Sequence, residues 1–472
     1  MNDRRPDVLE RASVLASKFL ATLEVRPVGV SVTHRDLLAG LNIPLLDEGV
    51  DDLTVLEEMV RGADPGIIGS AGARYFGFVI GGALRVTVAA DWMTSTWDQN
   101  AGIYATSPAA SVIEEVVSRW VLELLRLPST ASVGFVTGCQ MANFTALAAA
   151  RHAVLRKAGW NVEEQGLSGA PRVNVVLGAE AHITVYAALR MLGFGTKTAV
   201  LAQTDEQGRV RAESLRETLQ GLSGPTIVCL QAGNVNSGSF DSFPETIALA
   251  HSAGAWVHVD SAFGLWAAAS NQRRHLVAGI EGADSWATDA HKWLNVPYDS
   301  GIVVVADSAA HRASMTVTAA YLQQTAGGER DNFDWAPEFS RRARGIPIYA
   351  AIRHLGRSGV EAIVDRCCDH AALFAKLLGE QEHVEILNDV VLNQVLVRFH
   401  AEGRDSDEVT RAVIQQVQND GVCWLGGTTW HGMAAMRVSV SSWATTETDV
   451  RVSAEAILKA SRAVRGLSGN RE

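Results

Sequence analysis

From residue 132 onward the chain alternates two kinds of stretch. Short apolar, β-branched runs fall at 132–136, 173–177, 198–201, 226–230, 255–260 and 301–305. Between several of them lie longer stretches with apolar residues at helical spacing, among them 142–156, 184–192, 212–222 and 243–253. The short runs predict strands and the long ones helices. Strands in regular alternation with helices predict an α/β fold: a mainly parallel sheet with helices on both faces. Ligands of such sheets bind beyond the carboxyl ends of the strands. The runs ending at Val136, Leu177 and Asp260 therefore point at a candidate site.

The flanks follow other patterns. Residues 7–23 place Leu9, Val14, Leu15, Phe19 and Leu20 on one helical face. The segment 75–82, aromatic and broken by glycines, predicts a loop. A helix is expected over 107–125, with Ser107 as its cap and Pro108 in its first turn. Residues 323–334 are polar and glycine-bearing and predict a mobile loop. Past 344 the pattern gives a long helix (347–378), weak strands at 384–387 and 394–399, a helix at 406–420 and a strand at 435–440. Thr446 and Asp449 have capping-box spacing ahead of a last helix. The expected organisation is a helical segment at 1–70, a large domain at 71–345 and a small α+β domain at 346–472.

Composition narrows the partners. With 41 basic against 52 acidic residues, nucleic acid and anionic membrane are not expected as bulk partners, because phosphate binding needs clustered positive charge. The first ten residues mix acids and bases without an apolar core, unlike a signal peptide. No run of about 18 apolar residues predicts a membrane span. Five cysteines without C-x-x-C spacing fit a reducing cytoplasm, and no metal site is expected.

The candidate chemistry lies in two runs, His258-Val259-Asp260-Ser261-Ala262-Phe263-Gly264 and Asp289-Ala290-His291-Lys292-Trp293. A lysine amine attacks an aldehyde only when part of it is uncharged, and flanking His291 and Trp293 suggest desolvation of Lys292. Asp260 ends an apolar strand, where a carboxylate has to be paired or functional. Against a pyridine nitrogen it would keep the ring cationic and electron-accepting, and small Ala262 leaves room for a flat ring. The two runs together read as a pyridoxal 5'-phosphate site. The plainer alternatives are a surface lysine and a helix-capping aspartate. His182, just past the strand at 173–177, is placed to stack on the ring or to serve structure alone. Residues 134–143 form strand, glycine turn and helix start, so the amides of Cys139 and Gln140 are candidates for the phosphate, with Asp289 and His291 beside them. Tyr321 opens the polar loop and suits proton delivery from a lid, or boundary packing.

From about Tyr75 to the last helix, this set of residues resembles the group II pyridoxal-phosphate decarboxylases, which act on aromatic amino acids, histidine, tyrosine or glutamate. The resemblance rests on His182, Asp260-Ser261-Ala262, Asp289-Ala290-His291-Lys292-Trp293 and Tyr321 and on the spacings between them. It implies the type I, aspartate-aminotransferase-like fold and a homodimer with the active site at the subunit interface, the 1–70 segment packing on the partner. It further implies that Lys292 carries the cofactor as an imine, Asp260 pairs with the ring nitrogen, His182 stacks on the ring and Tyr321 reprotonates Cα. Ser340 falls where the neighbouring subunit reaches the phosphate, and Arg437 where glutamate decarboxylases hold the substrate α-carboxylate. Asn100 and Gly102 occupy the partner-subunit wall that is bulky in the aromatic-amino-acid enzymes. Two positions depart from the family. Val235 replaces a threonine near the cofactor hydroxyl, flanked by Asn234 and Asn236, and Asp289 replaces a phosphate-shell asparagine, placing a charge beside a phosphate unless it caps the turn through backbone amides.

The expected reaction is decarboxylation of an L-amino acid to the amine. The aromatic 75–79 loop, including Phe78, together with Trp92 or Trp97, favours an aromatic or other uncharged substrate. Aldehyde synthesis goes in this family with phenylalanine at the lid position, so Tyr321 opposes it. Carbon–carbon lyase chemistry, transamination and a non-catalytic, cofactor-retaining interaction role are the remaining alternatives.

Overall fold

The computed structural model describes residues 7–317 and 328–466. Its larger sheet contains β1 (Ser132–Val136), β2 (Asn174–Gly178), β3 (Val200–Ala202), β4 (Thr226–Gln231), β5 (Trp256–Asp260), β6 (Ser285–Asp289) and β7 (Gly301–Val305) in the order β1-β7-β6-β5-β4-β2-β3. β7 runs antiparallel to both its neighbours, and every other pairing is parallel. The sheet is therefore mainly parallel, and the carboxyl ends of β1, β2, β4, β5 and β6 lie along one edge.

Successive residues of a strand point to opposite faces, and both faces are covered here. Val257, Val259, Ile302 and Val304 join one core cluster, whereas Trp256, Val303 and Val305 join another. The second lies under the helix Cys139–Lys157, which packs on β5, β6 and β7. Burial on both faces explains why these strands are apolar throughout instead of alternating.

A second, antiparallel sheet contains β8 (Val384–Ile386), β9 (Gln394–Phe399), β10 (Gly426–Trp430) and β11 (Met433–Ser439) in the order β10-β11-β9-β8. The last helix, Glu447–Gly466, begins at the expected box: Asp449 N–H donates to Thr446 Oγ1 at 3.3 Å, and Thr446 N–H to Asp449 Oδ2 at 3.0 Å.

Several local expectations are corrected. β6 and β10 were not anticipated. The long helix Gly345–Gly379 is broken at Gly356, whose φ of 60° and ψ of −174° suit glycine. Ser107 stands at the start of its helix but donates its hydroxyl to the Asn100 carbonyl instead of capping. Residues 331–334, expected to be mobile, are buried, with Asn332–Trp335 forming a 3-10 turn. Arg330 anchors them by donating to the Val133 carbonyl at 2.6 Å while its guanidinium lies over the Trp335 ring. The helix Val8–Thr22 forms with Asp7 as cap, yet none of its residues is buried in the single chain.

Candidate active site

The site is built on the carboxyl edge of the large sheet. Asp260 ends β5 and Asp289 ends β6, and both are buried. The turn after β1 brings Gly138 and the start of the helix Cys139–Lys157 to the same edge. Gly301 makes that approach possible, because a Cβ there would stand 2.5 Å from the Gly138 Cα. A side chain at Gly138 would in turn crowd His291 at 3.2 Å.

The turn carrying Lys292 is fixed from three directions. The amides of Ala290 and His291 both donate to the Ser300 carbonyl. Ser300 N–H donates to His291 Nδ1 at 3.2 Å, which leaves the ring proton on Nε2, facing Asp289 Oδ1 at 3.4 Å. Asn295 joins the turn to the C-terminal sheet region: its Nδ2 donates to the Ser441 carbonyl and its Oδ1 accepts from Trp443 N–H. On the third side Gly81 lies against the Lys292 carbonyl so closely that a Cβ would overlap it.

Asp289 is the hub. Its Oδ1 accepts the Cys139 amide at 2.6 Å, and its Oδ2 lies 3.0 Å from Lys292 Nζ. Burial pushes the Asp289 pKa up, but the Lys292 ammonium and His291 more than offset this and hold it below the ordinary carboxylate value. The converse holds for Lys292. Burial pushes it down, and the charge of Asp289 reverses that, leaving the amine above its ordinary value. Lys292 is desolvated as expected, but the carboxylate facing it favours the charged amine over the partly neutral one.

Cys139 links the hub to the second carboxylate, its Sγ lying 3.4 Å from Asp260 Oδ1. Burial, then Asp260 and Asp289, push the thiol well up, so it stays protonated and donates. Since Asp289 takes the Cys139 amide, that expected phosphate donor is committed. The first intrahelical bond is Ala142 N–H to Gly138 O, so the amides of Gln140 and Met141 are the ones left facing outward.

His182 precedes the helix Ile183–Met191 and caps it through Nδ1, which also lies 2.8 Å from Thr184 Oγ1. Burial lowers its pKa, opposed by Asp260 and reinforced by Lys292 and Arg437. His182 and Asp260 line one cavity with Gly178, Cys229 and Gln231. Ala262, half-buried, accepts the Asp289 amide at 2.9 Å. Arg437, on β11, is half-buried, and burial lowers its pKa. The one hydrogen bond of its guanidinium among the described residues is to Asn236 Oδ1 at 3.4 Å, and that oxygen also accepts from Thr428 Oγ1. Of the two asparagines flanking Val235, Asn234 is used locally: its Oδ1 accepts the Asn236 amide.

Other expected residues gather elsewhere. Asn100 Nδ2 donates to Ser340 Oγ at 3.4 Å, and Gly102 lies against the Phe339 carbonyl. Among the described residues this group makes no hydrogen bond to the Lys292 cluster. Phe78 is 61% exposed, its ring 5.7 Å from Trp424, on which Tyr75 stacks. Tyr321 lies outside the described residues. Sequence reasoning did not foresee the thiol on Asp260, the Asp289–Lys292 pair, or the Tyr298 ring stacked 4.2 Å from His291.

A buried aspartate and a lysine turn on neighbouring strand ends, in a mainly parallel sheet, define the type I class of pyridoxal-phosphate enzymes. The residues suit that cofactor: a carboxylate faces inward beside a thiol, and outward-facing helix-start amides stand near a buried lysine. Residues 43–401 match the pyridoxal-dependent decarboxylase conserved domain, and the chain belongs to that family of pyridoxal-phosphate-dependent amino-acid decarboxylases. The match begins upstream of Tyr75, where the visible likeness begins. The chain is 26% identical over 437 residues to the aromatic-L-amino-acid decarboxylase of Bacillus atrophaeus, covering 90% of this chain and 89% of that protein. It is 26% identical over 367 residues to phenylacetaldehyde synthase of Arabidopsis thaliana, covering 74% and 73%. The crystal structure of Oryza sativa TDC with PLP and tryptamine superposes with a TM-score of 0.90 at 24% identity over 97% of both chains, a likeness of fold.

Proposed function

We propose that the protein decarboxylates an uncharged, aromatic L-amino acid to its amine. One observation carries the assignment of roles: Asp260, Cys139, Asp289 and Lys292 form an unbroken chain of contacts across three strand ends. Lys292 Nζ is the amine that carries the cofactor, and Asp260 keeps a proton on the ring nitrogen. The cofactor, when bound, supplies the sink for the electron pair left by departing carbon dioxide. His182 lies over the ring, with the Gln140 and Met141 amides and His291 toward the phosphate. Ala262 leaves space below.

Arg437 is the receptor for the substrate α-carboxylate. It is a half-buried guanidinium with no carboxylate partner among the described residues, steadied by Asn236. With Lys292 committed to the cofactor, the cluster keeps no further lysine or arginine among the described residues for a side-chain carboxylate, which favours an uncharged side chain. The names of the Bacillus and Arabidopsis relatives support an aromatic one. Fixing the α-carboxylate orients the bond that breaks, and orientation is the protein's main contribution. Tyr321 returns the proton to Cα. Ser340, Asn100, Gly102 and Phe78 belong to a wall completed by a second subunit. A homodimer is supported by the apolar surface of the first hundred or so residues, where Leu9, Leu45, Trp92 and Trp97 are exposed. Five free, buried cysteines fit a cytoplasmic setting.

The test is a panel of amino acids supplied to the cofactor-loaded protein, scored for carbon dioxide, amine, aldehyde and hydrogen peroxide. Amine from phenylalanine, tyrosine or tryptophan, and none from glutamate, is the expected result; glutamate as preferred substrate would refute the side-chain reading. Aldehyde with peroxide would favour the second reading, which the Arabidopsis relative supports. Tyr321→Phe is expected to move the product from amine towards aldehyde.

A further inference from the structure

Asp289 is a buried carboxylate surrounded by the donors that an incoming phosphate would also seek. Its two oxygens take a helix-start amide at 2.6 Å and a lysine ammonium at 3.0 Å, with a histidine Nε2 at 3.4 Å. Such amides and cations form the usual receptor for a phosphate. We propose that Asp289 is a resident anion that stands in for the cofactor's phosphate, holding the glycine turn and Lys292 in the cofactor-free protein and opposing the phosphate once the cofactor enters. The inference rests on the pyridoxal-phosphate reading of the site.

Three features lead there. A carboxylate can only accept, so Asp289 has no proton to offer a phosphate oxygen, whereas an amide side chain would have two. When the Lys292 ammonium joins the aldehyde carbon, its nitrogen forms the bond to carbon, two of its protons leave with the carbonyl oxygen as water, and the third stays on the nitrogen with the positive charge. Asp289 then faces, in place of a compact ammonium with three protons, a single N–H whose charge is shared with the cofactor. The neighbouring groups add no positive charge of their own: Cys139 offers a neutral thiol, Asp260 is a second acid and Tyr298 presents a ring face to His291. Two anions are then brought together in a buried place, where repulsion is weakly screened. Asp289 thus stabilises the empty site and loosens the filled one, so the cofactor exchanges more readily than it would with a neutral residue there.

The experiment compares wild type with Asp289→Asn, both stripped of cofactor. It measures thermal melting and titrates each with pyridoxal phosphate and with pyridoxal, which lacks the phosphate. The variant is expected to melt lower when empty and to bind pyridoxal phosphate about tenfold tighter, with no gain for pyridoxal. Equal or weaker binding of pyridoxal phosphate overturns the inference while leaving the site assignment intact. If neither protein takes up pyridoxal phosphate, the assignment itself fails, and this inference with it. Should the variant not fold, Lys292→Met and Lys292→Met/Asp289→Asn are compared with pyridoxine phosphate, which has no aldehyde. The double variant should bind about tenfold tighter, and equal affinities overturn the proposal.

Discussion

Asp260 is 5% exposed, and among the described residues the one hydrogen bond to its carboxylate comes from the Cys139 thiol. A thiol is a weak donor, so this carboxylate retains most of its capacity for a ring N–H. Asp260→Asn should bind the cofactor and turn over on the order of 10²-fold more slowly, measured as kcat at saturating cofactor. Arg437→Met should raise KM about 10- to 100-fold with a smaller change in kcat, since a charge-assisted bond to the substrate is lost before reaction. Steady-state kinetics on both variants checks the division of labour. Asp260 and Lys292 were legible in the sequence because a strand-end carboxylate and a lysine beside a histidine are chemically conspicuous, whereas Arg437 came only from the family resemblance. The pairing of Lys292 with Asp289 was not: residues three apart in a turn can face each other or diverge, and only the backbone path decides.

At the scale of elements, the site depends on β7 and the turn after β1 sharing one space. Gly301 faces Gly138, and Gly134 is similarly close to the Trp335 carbonyl. Gly301→Ala should therefore displace the glycine turn, costing about 1–3 kcal/mol of stability and weakening cofactor binding. Chemical denaturation and a cofactor titration read the two effects separately. The β/α rhythm was readable because buried strands are continuously apolar. β6 escaped notice because Ser285-Trp286-Ala287-Thr288-Asp289 contains a single β-branched residue, and it is a strand only through pairing with β5 and β7. β10, with two glycines and two threonines, likewise depends on its partner β11.

For the molecule as a whole, two buried histidines weaken the fold in acid, opposed in part by Asp241, whose carboxyl burial raises to about 6 so that its protonation below that pH favours the folded state. Burial pushes His258 down to about 4 and His311 down to about 3, each hydrogen-bonded to a serine within the core. A pKa depressed by folding contributes stability that is complete above the unfolded value near 6.5 and is lost as pH falls towards the folded one. Each should remove about 1.4 kcal/mol per pH unit between pH 6.5 and 4. Melting temperature is expected to fall across that window, and His311→Gln should make the slope shallower. The exposed apolar residues of the N-terminal helices predict a dimer by light scattering; a stable monomer would remove the shared-wall assignment of Ser340, Asn100 and Gly102. The most direct test of the central claim is borohydride reduction of the cofactor-loaded protein followed by peptide mass spectrometry. Stoichiometric pyridoxyl modification at Lys292, with Lys18, Lys157, Lys197, Lys376 and Lys459 unmodified, is the predicted result. Stoichiometric modification at any of those five, with Lys292 unmodified, would contradict it.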